Sequence, residues 1–219
     1  MIEEKNYTPQ TLAECVIADV NGRNVLKNII SGKISFPSIK CGIILHGVWG
    51  TGKTTLARLL PELFEIARGG DTAHYDFYAC AQGQNGVSLI NLITNSTNLV
   101  SFNHSGLHYV ILDELDNLTD AARASLKAIM NGRHVIFIMT TNNLSAIDMG
   151  IQNRSYIIDM NAAPHSEWLP LVRRVISSFG ATVPSDAVLL PLIAACDGSA
   201  REIISAAMEV AINQDLEVT

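Results

Sequence analysis

The chain has 219 residues, 48% of them hydrophobic, with 15 Lys and Arg against 21 Asp and Glu for a formal net charge of -6. That is enough for one large or two small domains with real cores. The apolar runs near Ile43 and Val135 fall well short of the roughly 20 residues of a membrane span, and a broadly basic nucleic-acid surface is excluded, although a local cationic stripe can hold DNA on an acidic protein.

The start, Met1-Ile2-Glu3-Glu4-Lys5, is acidic and polar rather than charged then apolar, so the expected location is the cytoplasm. Residues 6–34 read as an extended lead-in and then a helix, with Asn21 as N-cap, Val25, Leu26, Ile29 and Ile30 on one face, and Gly32 as its end. A strand, Ile43 to His46, runs into Gly47-Val48-Trp49-Gly50-Thr51-Gly52-Lys53-Thr54, and a helix from Thr54 to Ala67 leaves it, with Gly69-Gly70 as terminator. This is the context of a phosphate-binding loop. Its glycines allow a tight turn of convergent N–H groups, the helix N-terminus adds partial positive charge, Lys53 offers an ammonium to the β/γ-phosphates, and Thr54 offers a hydroxyl to Mg2+. The expected ligand is ATP or GTP, bound by Gly47 through Thr55.

Further along come a short strand near Tyr75 to Ala79, a polar stretch to Gly86, a helix from Val87 to Asn95 and an apolar strand from Tyr109 to Leu112. A turn at Asp116 to Thr119 opens a helix from Asp120 to Met130. Strands from Val135 to Thr140 and Ser155 to Met160 follow. Short, nearly all-apolar strands alternating with helices predict an α/β domain with a parallel sheet covered on both faces. From His165 only helices are expected: Ser166 to Ser178, Ser185 to Cys196 with a kink at Pro191, and Ala200 to Gln214. The predicted organisation is an α/β domain over 1–161 and a helical domain over 162–219, hinged at Asn161-Ala162-Ala163-Pro164. Cys15, Cys41, Cys80 and Cys196 show neither zinc nor disulfide spacing and read as buried thiols.

Two carboxylates, Asp113 and Glu114, end the Tyr109 strand at the edge where open α/β sheets bind ligands. Asp113 is placed to hold Mg2+ and Glu114 to polarise the attacking water. Asn142, after the next strand, would point at the γ-phosphate, although an Asn-rich turn alone explains Thr140-Thr141-Asn142-Asn143. Arg154 lies too far round the sheet to reach its own nucleotide and fits a finger inserted into a neighbour's site. Arg201, opening the last helix, could fold back on the γ-phosphate. Taken singly, each arginine is better explained as a surface salt-bridge partner.

In this order the motifs resemble those of AAA+ ATPases, and more closely the sliding-clamp loader ATPase subunits of T-even phage and replication factor C type. Tyr7-Thr8-Pro9-Gln10-Thr11-Leu12-Ala13-Glu14-Cys15-Val16 is similar to that family's opening Tyr-Arg-Pro-x-Thr-Leu-x-Glu, which implies backbone near Val16 and Ile17 beside the adenine. Gln152-Asn153-Arg154-Ser155 resembles its Gln-Ser-Arg-Cys finger, with Asn and Ser in place of Ser and Cys. Arg123 stands where the family has a glutamine. The resemblance implies an α/β P-loop fold with a helical lid, ATP and Mg2+ as cofactors, and a homo- or hetero-oligomeric ring or spiral, pentameric or hexameric. It also implies a sliding clamp or other replication protein as partner. Clamp loaders carry a third, collar domain. No sequence for one follows the lid, so assembly is expected to come from the AAA+ surfaces, a partner chain or DNA.

Arg123 and Lys127, with Arg133 beyond, fall on the face that lines the family's DNA channel, or else form a solvated helix face. The expected function is an ATP-hydrolysing, clamp-loader-like machine in DNA replication or a related transaction. The alternatives are a helicase loader, a transposition-type remodelling ATPase, and, from another class, a nucleotide-dependent scaffold with negligible hydrolysis. A metabolic P-loop kinase fits poorly, because nothing supplies an acceptor-binding domain.

Overall fold

The computed structural model describes residues 7–81, 83–161 and 163–216. Five strands, β1 (Gly42–His46), β2 (Tyr75–Ala79), β3 (His108–Asp113), β4 (Val135–Thr141) and β5 (Ser155–Asp159), form one all-parallel sheet in the order β2-β3-β4-β1-β5. Every residue of the central β4 is buried, as its unbroken apolar run requires of a strand covered on both faces. The register pairs His46 with Thr141 and Leu112 with Met139, so the segments leaving β1, β3 and β4 emerge at one end of the sheet.

Among the described residues eight helices accompany the strands: α1 (Val20–Ile30), α2 (Lys53–Ala67), α3 (Val87–Thr97), α4 (Asp120–Ile129), α5 (Met149–Asn153), α6 (Leu169–Ser178), α7 (Asp186–Ala194) and α8 (Ala200–Leu216). One face of the sheet packs Leu26, Ile29, Leu60 and Phe64 from α1 and α2 against Ile43, Ile111 and Ile138. The other packs Leu89, Ile93, Ala122 and Leu126 from α3 and α4 against Ile44, Val110 and Phe137. A third core, built on Trp168, Val172, Ile193 and Ile203, belongs to α6–α8, and Tyr7, Val16 and Ala18 of the N-terminal segment lean on it.

The elements depart from the sequence reading mainly at their ends. α1 is capped by Asp19 rather than Asn21, because the Asp19 carbonyl already accepts the Arg23 N–H at 2.9 Å. β3 starts one residue early, where the His108 N–H reaches the His134 carbonyl at 2.8 Å. The segment before α6 is a single 3-10 turn, His165–Trp168, and the helix proper begins beside Pro170, whose missing N–H is tolerated only in a first turn. α7 runs on past Pro191 to Ala194. Of the hinge segment, Ala162 lies outside the described residues, and so do Met1 to Asn6.

Two hydrogen bonds set α2 against β3. Near the top of α2, the Thr54 hydroxyl donates to Asp113 Oδ1 at 2.9 Å. Eleven residues down the helix, roughly 16 Å, Glu65 accepts the Tyr109 hydroxyl, with the Ser105 N–H at 3.0 Å and the Ser105 hydroxyl on the same carboxylate. Burial pushes the Glu65 carboxyl up, but the bonds from Ser105 and Tyr109 outweigh it and hold the group below the usual carboxylate range. Phe64 and Tyr109 stack beside this pin with centroids 6.1 Å apart.

Candidate nucleotide-binding and hydrolysis site

β1 ends at His46 and the chain turns at once into the glycine loop. Gly47 has φ 152°, and a Cβ there would come within 2.7 Å of the Met160 backbone, so only glycine lets the loop pass so close to the end of β5. Gly50 and Gly52 take left-handed φ values of 79° and 88°. The first intrahelical bond of α2 is Leu56 N–H to Gly52 O, so the N–H groups of Lys53, Thr54 and Thr55 have no acceptor within the helix. Together with the helix dipole they form a ready anion site. Lys53 lies in the loop, its ammonium donating to the Gly47 and Val48 carbonyls at 2.8 and 2.6 Å. Burial pulls its pKa below the usual lysine value, and Asp113, Asp116 and Glu114 oppose that shift.

A cleft of about 1070 Å3 opens over this loop. Residues 49–55 line it, as do Asp113, Glu114, Thr140, Asn142 and Arg201. Gly47 and Val48 do not. The Val48 N–H is taken by Asn161 Oδ1 at 3.1 Å. At the other end of the cleft Val16 joins Cys15, Met160, Trp168, Leu171 and Met208 in a largely apolar wall. The Ile17 side chain is fully buried in the core under α1, and Arg23 occupies its carbonyl. The buried Trp168 indole N–H has no acceptor among the described residues, and the apolar wall beside it suits a flat apolar ring. Burial also pushes the Cys15 thiol up to about 12, which leaves it inert there.

The acids sit across from Lys53. Asp113 Oδ1 accepts from Thr54 at 2.9 Å and from Thr140 at 2.6 Å. Glu114 has left-handed φ 58° and ψ 53°, a conformation that costs a non-glycine residue about 1–2 kcal/mol. Its N–H is held by the Thr140 hydroxyl at 3.0 Å, and its carboxylate accepts from Asn117 at 3.2 Å. The neighbouring Thr141 hydroxyl holds Asp116 at 2.7 Å. Among the described residues no group of three or more His, Cys, Asp or Glu is placed to bind a metal by itself. A hydroxyl and a carboxylate on hard oxygen donors do fit Mg2+, which takes one or two protein oxygens and completes its shell with phosphate and water. Asn142 lines the cleft with Oδ1 buried and unpartnered among the described residues, an acceptor that a bound water donating its proton would satisfy.

The two arginines lie apart. Arg201 is exposed at the start of α8 and has no partner among the described residues. α8 brings it to the cleft by docking on the loop: Ala200 N–H donates to Gly50 O at 2.8 Å, and Ser199 lies so close that a Cβ on Gly50 would strike its hydroxyl. Arg154 is at the opposite end of the sheet. Its carbonyl accepts from Cys41 and Gly42 at the entry to β1, and its guanidinium donates to Asn131 Oδ1 at 3.1 Å and Gly150 O at 2.9 Å. A strand of that length puts it roughly 16 Å from the loop. The α4 cations are engaged as well. Arg123 pairs with Asp120 at 3.1 Å and donates to Asp116 O at 2.7 Å, and Lys127 pairs with Asp148 at 3.0 Å, holding that carboxyl below its usual range.

Sequence reasoning missed Thr140 and the lid side of the cleft. Thr140 read as the end of an apolar strand, and only its place beside β3 reveals its role. Trp168, Leu171 and Met208 carry no motif and differ in no visible way from residues that merely pack a helical core.

A model of the ATPase family associated with various cellular activities (AAA) matches residues 43–160. Replication factor C small subunit 2 of Pyrobaculum islandicum is 26% identical over 98% of the chain and 65% of that protein. The replication factor C small subunit of Haloarcula marismortui is 25% identical over 96% and 62%. The chain thus spans somewhat less than two thirds of these relatives' length. Among solved structures, the RuvB Holliday junction branch migration motor of Thermotoga maritima superposes with a TM-score of 0.72 at 17% identity, over 92% of the chain and 64% of RuvB. C. elegans PCH-2 does so with 0.64 at 15%, over 94% and 71%. At such identities the likeness is one of fold. The matched segment runs from β1 to just past β5 and carries the whole floor of the cleft, and the chain belongs to the ATPase family associated with various cellular activities (AAA).

Proposed function

We propose that the chain is a clamp-loader-like ATPase subunit acting in DNA replication, hydrolysing ATP at a site completed by a neighbouring subunit. The observation that carries this reading is the assembled set Thr54, Asp113, Thr140 and Glu114 facing Lys53 across the glycine loop. The N–H groups of the loop and of the first turn of α2 bind the phosphates, and the apolar end beside Val16 and Trp168 takes the base. Lys53 exchanges the Gly47 and Val48 carbonyls for β/γ-phosphate oxygens. Thr54 and Asp113 would hold Mg2+, which would supply charge neutralisation for the phosphates. Glu114 takes a proton from the attacking water, Asn142 fixes that water or the γ-phosphate, and Arg201 senses the γ-phosphate from the lid. Arg154, remote from its own cleft, acts in a neighbour's.

In this reading 1–161 and 162–219 are the nucleotide-binding and lid domains. The assembly is a ring or spiral of like or unlike subunits, and DNA contacts along the α4 side would have to draw Arg123 from Asp120 and Lys127 from Asp148. The surface assigned to a protein partner such as a sliding clamp is the loop after α3, which exposes Leu99 (71%), Val100 (86%) and Phe102 (91%). The loop is not slack: Asn103 ties it to His74 and Leu107, and Glu65 ties Ser105. Replacing Glu114 with Gln should leave ATP binding intact and slow phosphate release by about 10²–10⁴-fold. Undiminished turnover rules out Glu114 as base. Absence of stimulation by primed DNA under every assembly condition favours the nucleotide-dependent scaffold.

A further inference from the structure

We propose that Thr140 is a positioning residue for hydrolysis, a single buried hydroxyl that sets both acids of the site. A threonine hydroxyl has one proton to give and lone pairs to accept. Here the proton goes to Asp113 Oδ1 at 2.6 Å and a lone pair takes the Glu114 N–H at 3.0 Å. Thr140 is 2% exposed, so both bonds are made almost out of contact with solvent.

The two bonds do different things. The first, with the Thr54 hydroxyl on the same oxygen at 2.9 Å, fixes the rotation of the Asp113 carboxylate and leaves Oδ2 without a protein donor among the described residues. The second stabilises the left-handed backbone of Glu114, φ 58°, which no L-residue adopts without compensation. That conformation turns the chain sharply at the end of β3, so that Asp113 and Glu114 both line the cleft although side chains alternate on an extended strand. Thr140 does this from β4, the strand beside β3. Adjacent Thr141 makes the parallel bond to Asp116, so two successive hydroxyls of β4 hold three acids of one turn.

The proposal rests on the ATPase reading, and its test separates the two. Thr140→Val keeps shape and removes the hydroxyl; Thr140→Ser keeps the hydroxyl and removes the methyl. Both are compared with the parent chain and with Glu114→Gln for thermal melting, affinity for a fluorescent ATP analogue with and without Mg2+, and steady-state phosphate release. For Thr140→Val the expected result is a kcat about 10–100-fold lower, the range that follows when a buried donor loses its acceptor. Metal-free nucleotide affinity stays within about threefold, and the gain in affinity on adding Mg2+ shrinks. Thr140→Ser stays within about threefold of the parent in all three. The proposal is overturned if Thr140→Val hydrolyses like the parent. It is overturned equally if metal-free binding and melting collapse along with kcat, or if Thr140→Ser is as impaired as Thr140→Val, since both point to packing alone. If Glu114→Gln hydrolyses normally, the base assignment falls, while the Mg2+-dependent affinity of Thr140→Val still tests the hold on Asp113.

Discussion

The cleft floor and the two arginines are finished to different degrees. On the floor, Thr54, Asp113, Glu114 and Thr140 are already hydrogen-bonded into one constellation within a single chain, Lys53 is held by the Gly47 and Val48 carbonyls, and the Glu65–Tyr109 pin braces α2 and β3 from below. Arg201 is exposed at the lid and Arg154 is held by Asn131 and Gly150 at the far end of the sheet. On the proposed function, the groups that bind nucleotide are therefore preorganised, and Arg154 and Arg201 would complete the site only with a neighbour or a movement of the lid. Such a division separates binding from turnover, as a machine timed by assembly requires.

The largest effect expected from breaking this contrast comes at Arg154. Replacing it with Ala should lower kcat by about 10³-fold at assembling concentrations with little change in ATP affinity. Mixing that variant with Glu114→Gln should restore part of the activity, because some interfaces then pair an intact Glu114 with an intact Arg154. A mixture as inactive as its components argues against a site shared between subunits. Next comes Arg201→Ala, expected to weaken ATP binding by about 30-fold and ADP binding less, since a free guanidinium meets the γ-phosphate without breaking an existing pair. Equal losses for the two nucleotides, measured by equilibrium titration, would remove the γ-phosphate from its role.

The preassembled half should answer to stability measurements instead. Tyr109→Phe removes a donor to buried Glu65 and should cost about 2 kcal/mol in urea unfolding. Glu65 is held below its ordinary 4.5 in the folded state, so its contribution is present above pH 4.5 and lost as the pH falls through the lower folded value. In Tyr109→Phe that acid-side loss should shrink. The smallest effect is expected at Thr119, whose hydroxyl caps α4 by accepting the Ala122 N–H at 3.2 Å. Thr119→Ala should cost about 1 kcal/mol and leave ATP binding unchanged.

Much of this was legible in the chain. The loop from Gly47 to Thr54, Asp113-Glu114 and Asn142 are local patterns at the ends of apolar strands, and parallel strands must deliver such ends to one edge. Element boundaries were less so, because an Asp19 carbonyl or a His108 N–H finds its partner across the fold, out of reach of a sequence window. Ile17 shows the limit from another side. Its neighbour Val16 reaches the cleft while its own side chain fills the core, since consecutive residues of an extended segment face opposite ways. Arg123 and Lys127 show it again: their spacing predicts a cationic face, but Asp120 and Asp148 claim both charges.

By itself the sequence determined the α/β alternation, the phosphate loop and the identity of the acids, because each depends on residues adjacent in the chain or on a single period of burial. Tertiary structure alone decided that Thr140 would hold Asp113 and Glu114 and that Trp168 and Met208 would wall the apolar end of the cleft. Those relations depend on which strand lies beside which and on how the last helices dock over the loop, and no spacing along the chain encodes either.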